Sequence, residues 1–261
     1  MRSLSIAATG MLAQQLNVEV ISNNIANIST TGYQRRRAEF QDLLYQSQRT
    51  VGSTSSASGS VVPVGVQVGL GTKTAAVYRI TTQGNLNSTG NTFDLAIKGK
   101  GYFQITLPSG ETAYTRAGSF QLSATGQIVT ADGHTVLPGI TVPNNATSIT
   151  INASGEVSVK IAGQTASQVA GQLQIATFPN SAGLQALGDS LLSETAASGT
   201  AVTGNPGDAG YGTLSQGFLE TSNVNVVSEI TSLITAQRAY ELNSRVIQAS
   251  DEMMSTLNQL R

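Results

Sequence analysis

The stretch NVVSEITSLITAQRAYELNSRVIQASDEMMSTLNQLR, residues 225–261, decides the fold. Val226, Leu233, Tyr240, Ile247 and Met254 stand seven apart in it, and Ile230, Val246, Met253, Leu257 and Leu260 fill neighbouring positions of the same face. That is one apolar stripe on one long helix. No Pro or Gly interrupts it, Asn225 is placed to cap its start, and Glu241 precedes Arg245 by four residues, the orientation that best supports a helix. At about 1.5 Å per residue the rod is roughly 50 Å long. It cannot bury that stripe against itself, so it needs a partner of similar length.

The N-terminus offers one. Leu4, Ala8, Met11, Val18, Ile21, Ile25 and Ile28 step by three, four or seven residues, with Gln14, Gln15, Asn17 and Glu19 between them. This second stripe spans about 40 Å, whereas helices in globular proteins commonly run about 10–14 residues. Two such stripes at opposite ends of a chain predict a paired, coiled-coil-like stalk.

Between the ends the periodicity changes from helical to alternating. Candidate strands cover 74–80, 93–97, 102–107, 113–115, 119–122, 127–130, 148–151, 157–161 and 172–178. Turn residues separate them at Pro108-Ser109-Gly110, Asp132-Gly133, 152–155 and Ala162-Gly163. Short strands with hairpin loops predict a small antiparallel barrel or sandwich. The expected class is therefore α+β, with terminal helices paired as a stalk and a central, mainly antiparallel β domain. The expected divisions are 1–45, pairing with 215–261; a linker insert and extended connection, 46–92; the β domain, 93–180; and a return linker, 181–214. Residues 46–65, QSQRTVGSTSSASGSVVPVG, have the composition of a flexible linker.

Composition narrows the function classes. The 261 residues are 39% apolar, enough for a core, but only 11% are charged, and the net charge is −1. Such a surface is polar without being charged, and Arg35-Arg36-Arg37 is a weak footprint for nucleic acid in a nearly neutral chain. There is no Cys, hence neither disulfide nor thiolate chemistry. Arg2 precedes a moderately apolar run, but Ser3, Ser5, Thr9 and Gly10 dilute it and no clear cleavage motif follows. No window holds about 18 uninterrupted apolar residues, so membrane insertion is not expected.

Three segments resemble one family. The run SNNIANISTTGYQRRRAEFQDLLYQ, centred on Asn23, Asn24, Asn27, Thr31, Gly32 and Tyr33, is similar to the N-terminal signature of bacterial flagellar rod and hook proteins. DLAIKGKGYFQI, with Asp94, Gly99, Gly101, Tyr102 and Phe103, and YTRAGSFQLSATGQIVTADGHTVLPG resemble the family's central motif. GFLETSNVNVVSEITSLITAQRAYELNSRVIQASDEM resembles its C-terminal signature almost end to end. Read physically, the amides bond backbone at a helix end and Gly32 turns the chain. Gly99 and Gly101 let a strand bend, and the aromatics fill a core.

The insert after LLYQ resembles the one marking the distal-rod branch of this family, where it packs between subunits. The resemblance implies a structural subunit that polymerises with itself into a helical tube. Its two terminal helices would line the wall, through Leu4, Ala8, Met11, Val18, Ile25, Val226, Leu233, Tyr240, Ile247 and Met254, and the β domain would form the outer layer. It further implies export through the flagellar export apparatus without a cleaved signal, a place in the periplasmic rod, and proximal rod proteins, hook protein and ring proteins as partners.

Enzyme chemistry finds no support in the residues. A Ser-His-Asp set would have to use His134, the sole histidine, beside an Asp-Gly turn and without a G-x-S-x-G elbow. One His and no Cys make a zinc site unexpected, and Asp94, Glu111, Asp132 and Glu156 are not spaced as paired carboxylates. Gly69/Gly71 and Gly99/Gly101 complete no nucleotide motif, so no cofactor is expected. The alternatives are a proximal rod or hook-type axial subunit and, from another class, a secreted adhesin or glycan-binding fibre protein.

Overall fold

A computed structural model describes residues 2–50, 64–164 and 166–259. Most of the insert at 46–65, and the last stripe position at Leu260, lie outside them. The chain divides into two compact units. One comprises 1–25, 36–78 and 226–261, the other 26–35 and 79–225.

In the first unit, α1 (Arg2–Ala26) is followed by β1 (Arg36–Asp42), β2 (Tyr45–Arg49), β3 (Val66–Gly69) and β4 (Thr72–Arg79), and α2 (Val226–Gln259) closes the chain. α1 ends where the Asn27 to Gly32 run begins, because the backbone turns there. Thr30 N–H donates to the Asn27 carbonyl at 3.2 Å, and Gly32 takes φ +66°. β1 pairs with β4, and β2 pairs antiparallel with β3. The first residues of the supposed linker, 46–49, therefore belong to a strand.

The second unit holds β5 (Leu86–Ser88), β6 (Leu95–Lys98), β7 (Tyr102–Thr106), β8 (Thr112–Thr115), β9 (Gln121–Leu122) and β10 (Ile128–Val129). It continues with β11 (Thr135–Val136), β12 (Ala146–Ile151), β13 (Glu156–Ile161), β14 (Gln168–Gln172) and β15 (Ile175–Thr177). Its last strands are β16 (Gln185–Gly188), β17 (Leu191–Ser193), β18 (Val202–Gly204), β19 (Thr213–Gln216) and β20 (Phe218–Glu220). β7 is the hub. It pairs with β8 on one side, while on the other Tyr102 and Phe103 face β15 and Ile105 and Thr106 face β11. β12, β13 and β14 form a separate antiparallel meander.

Each expected strand overlaps an observed one, and all pairings with a resolved register are antiparallel. The difference lies in 181–214, read as a return connection, which carries β16, β17 and β18. β17 pairs with β8, and β18 with β15. Periodicity could not show these strands, because three or four residues are too few to establish an alternation.

Adjacent residues of a strand face opposite ways, and Tyr102 and Phe103 use this to seed two clusters. Phe103 packs with Leu95, Ile97, Phe120, Ile128, Val157 and Ile175, its ring edge-on to Phe120 at 5.0 Å. Tyr102 and Tyr114 pack edge-on around Phe178, with Leu184 and Leu192. Burial raises the Tyr114 phenol pKa, and the Glu194 carboxylate adds to it.

Truncating the buried Phe103 to Ala should lower stability by about 3–5 kcal/mol in urea unfolding. Gly118→Ala should also destabilise, since its Cβ would overlap the Leu95 carbonyl. A raised phenol pKa contributes stability present below the ordinary tyrosine value of 10.0 and lost as pH rises through the folded value. Tyr114→Phe should therefore flatten the fall in stability above that pH, measured as melting temperature against pH.

Candidate functional site

Within the first unit α1 and α2 run antiparallel and touch through short side chains. Ser250 Oγ donates to Ser3 Oγ at 3.3 Å, and a Cβ on Gly10 would stand 3.0 Å from the Asn243 amide. Asn24 Nδ2 donates to Glu229 Oε2 at 3.1 Å. Ala7, Ala13, Val20 and Ile21 of α1 and Ala236 of α2 are buried with them. Thr9 Oγ1, on another face of α1, accepts from Thr72 N–H at 3.3 Å.

This seam differs from the expected stripe-to-stripe contact. The α2 row facing α1 is Glu229, Ala236, Asn243 and Ser250, three residues on from the Val226 row. Leu233, Ile247 and Met254 flank it half-buried, while Val226 and Tyr240 are exposed. On α1, Leu4, Ala8, Met11, Val18 and Ile25 are likewise half-buried. The reason is steric: a row of short side chains lets two backbones approach, and bulky residues are then displaced to the flanks. Consequently Val226, Val227, Ile230, Ile234, Tyr240, Leu242, Val246 and Met253 are 43–75% exposed on one helix. The β2–β3 ribbon adds Leu44, Tyr45, Val66 and Leu70.

The second unit contains a polar knot built from the remaining motif residues. Asn27 Oδ1 accepts from Thr30 Oγ1 at 3.1 Å, and Thr31 lines a small cleft with Asp132, Asp189 and Ser190. Gly32 N–H donates to the Glu220 carbonyl at 2.8 Å, and a Cβ there would press on the backbone of Arg116 and Ala117. The Tyr33 carbonyl accepts from Asn223 N–H. Asn223 Oδ1 accepts from Arg35 N–H at 2.7 Å, while its Nδ2 reaches the carbonyls of Ile80 and Thr82. One amide thus ties three passes of the chain.

Arg116 lies at the centre, 7% exposed. Its Nε donates to Glu220 Oε2 at 2.6 Å, Nη1 to the Gly101 carbonyl at 2.7 Å, and Nη2 to the carbonyls of Gly99 and Ile97 at 2.7 and 3.1 Å. Glu220 Oε1 accepts from Gly84 N–H. The positive φ of Gly99 (+110°) and Gly101 (+143°) places their carbonyls around the guanidinium, so these glycines shape a cage as well as bend a strand. Asp94 is satisfied locally, by Thr89 Oγ1 at 2.6 Å and Asn91 Nδ2 at 3.0 Å.

Arg116, Glu220, Asn223 and Glu229 were not singled out from the sequence. Their one signal was type: charged or amide residues inside otherwise apolar or small runs of a charge-poor chain. Of the Arg triplet, Arg37 lies over the Tyr78 ring at 5.2 Å.

The polar groups of the knot are spent on holding passes of the chain together. The larger cleft, lined by Gln34, Gln83, Lys100, Arg116, Asn180 and Ser181 among others, has no carboxylate or histidine in its lining. His134 closes a turn, its carbonyl accepting from Thr130 N–H and its own N–H donating to Thr130 Oγ1, and no cluster of three metal-ligating side chains occurs among the described residues. No described helix is long and apolar enough to cross a membrane.

Comparison with known proteins agrees. Residues 4–34 match the family described as Flagella basal body rod protein, 96–159 the Flagellar hook protein FlgE/F/G D1 domain, and 215–260 the Flagellar basal body rod FlgEFG protein C-terminal. The chain is 60% identical over 261 residues to the Flagellar basal-body rod protein FlgG of Caulobacter vibrioides, covering 100% of both. It is 55% identical to that of Agrobacterium fabrum, covering 99% of this chain and 98% of the relative. To that of Bacillus subtilis it is 42% identical, covering 100% and 99%.

Arg116→Met leaves Glu220 buried without its cation and should cost about 3–5 kcal/mol in urea unfolding. The double variant with Glu220→Gln should be less destabilised than the two single losses combined, because the stranded charge is then gone.

Proposed function

We infer, for a chain that belongs to the flagellar basal-body rod protein family and is a structural subunit of the distal rod rather than an enzyme, a specific mode of assembly. Copies polymerise head to tail into an open helix, with α1 and α2 of each forming a coiled-coil-like pair that packs beside the pairs of neighbouring copies to make the wall of a tube. A heterologous contact whose rotation does not close produces such a filament, the form a drive shaft needs.

The observation that carries this reading is the apolar exposure along the flanks and outer side of α2. Eight large apolar side chains at 43–75% exposure on one helix exceed what an isolated soluble surface ordinarily shows, and mark a contact site. The β2–β3 ribbon supports it, since two strands alone are marginally stable in water and this pair keeps Leu44, Tyr45 and Val66 outside. A neighbouring copy covering the ribbon supplies a further layer and stiffens the tube.

A basal-body rod subunit assembles with other flagellar rod and hook components. In the arrangement inferred here the proximal rod lies below, the hook above, and ring proteins surround the periplasmic shaft. On this reading the subunit reaches its place through the flagellar export apparatus.

Deleting 226–261 should leave the β unit folded, by near-ultraviolet circular dichroism and proteolysis, while abolishing filament growth seen by electron microscopy. The single change Ile234→Asp, on the outward face, should reduce polymer yield by about tenfold or more without lowering the melting temperature of the β unit. Normal filaments from either chain would refute the assembly mode.

A further inference from the structure

The helix pair has a repeating seam. Ser3, Gly10 and Asn24 are spaced by seven and fourteen residues along α1, and their partners Ser250, Asn243 and Glu229 recede by the same intervals along α2. By this register Asn17 falls opposite Ala236. Every side chain in the row is short or polar.

Such a row has more than one tolerable alignment. A slip of one heptad, about 10 Å, sets Ser3 against Asn243 and Gly10 against Ala236, again short side chains on both sides. Large side chains inserted into holes, which penalise slippage in a coiled coil, are absent from this row.

One pair breaks the equivalence. Asn24 Oδ1 accepts from Arg36 N–H at 2.9 Å, and Nδ2 donates to the Arg36 carbonyl at 2.8 Å and to Glu229 Oε2 at 3.1 Å. A single amide therefore copies a strand's pairing with β1 and at the same time reaches α2. Asn24 is 1% exposed and Glu229 2%. Slipping one way moves Glu229 to Asn17, which lacks the bonds to β1. Slipping the other way sets Asn24 against Ala236, which offers no acceptor side chain. The first move sets the Glu229 carboxyl group against an amide that has no hold on β1 and so cuts the tie from β1 through Asn24 to α2; the second takes from that buried group the donor it has in the observed register, and that loss is costly.

We propose that Asn24 and Glu229 form the register lock of the helix pair, selecting one axial alignment of α1 on α2 among those the short-chain seam would accept. Fixing register is the best-attested role for buried polar groups between helices. The consequence for a shaft rests on the rod reading: a slipped subunit would present its outward apolar row about 10 Å out of step with its neighbours.

The chain has no cysteine, so introduced pairs report alignment without background. In the full chain, Ser3→Cys with Ser250→Cys marks the observed register, and Ser3→Cys with Asn243→Cys marks the slipped one. Mild oxidation followed by non-reducing electrophoresis should give an intrachain disulfide at least about tenfold more readily for the first pair. Adding Asn24→Ala or Glu229→Ala should bring the two yields within about twofold, whereas Glu229→Gln, which keeps an acceptor, should preserve the preference. Circular dichroism of each variant separates lost alignment from lost helix. A preference that survives both alanine variants overturns the lock. So does disulfide found only between chains, or neither pair reacting in the parent background. Polymer formation is not read in this assay, so failure of the rod reading leaves its outcome intact and is told apart from failure of the lock.

Discussion

A helix of 34 residues that meets its partner through alanines, serines and a glycine cannot conceal its larger apolar side chains at the same time. Everything distinctive about the first unit depends on that geometric constraint. Short side chains bring the α1 and α2 backbones close, and closeness displaces valines, isoleucines, leucines and a methionine to the flanks, where water would meet them. A surface of that kind is complete only in company, which is why the physics and the family relationship converge on a polymer. In the proposed assembly, folding within a chain and recognition between chains use different rows of one helix.

The β unit solves a different problem. It must keep several passes of the chain in register although its strands are short and its charges few. Two devices do this: the Phe103 and Phe178 clusters on opposite faces of the hub strand, and a fully bonded guanidinium at Arg116. A buried arginine is costly to desolvate, and this one is tolerable because its Nε, Nη1 and Nη2 all donate to oxygens, three on backbone and one on Glu220. Asn223 repeats the device with an amide, tying two backbone segments, at Arg35 and at Ile80 and Thr82, to its own.

Much of this was legible in the sequence, and the exceptions have a physical cause. Periodicity located both helices to within about two residues of their ends and touched ten of the described strands, because large apolar side chains at regular spacing leave a record. It could not say which row of α2 meets α1. A seam of Glu229, Ala236, Asn243 and Ser250 carries almost no hydrophobic signal, and the Val226 row beside it carries a strong one. The strands of 181–214 escaped because three or four residues are too short a window for a period. Arg116 and Glu220 lie 104 positions apart, so their meeting is a property of the fold that no local window contains. The motif glycines were legible as bends, but not as the walls of a cage.

The division of labour along α2 also bears on how such chains diverge. Because the inward row needs smallness and a few fixed polar atoms, while the outward rows need only shape and apolar character, substitutions outside the seam can retune which neighbour a subunit accepts without unsettling its own fold. A lineage could in this way derive a series of related segments, each joining to the next, from one ancestral architecture.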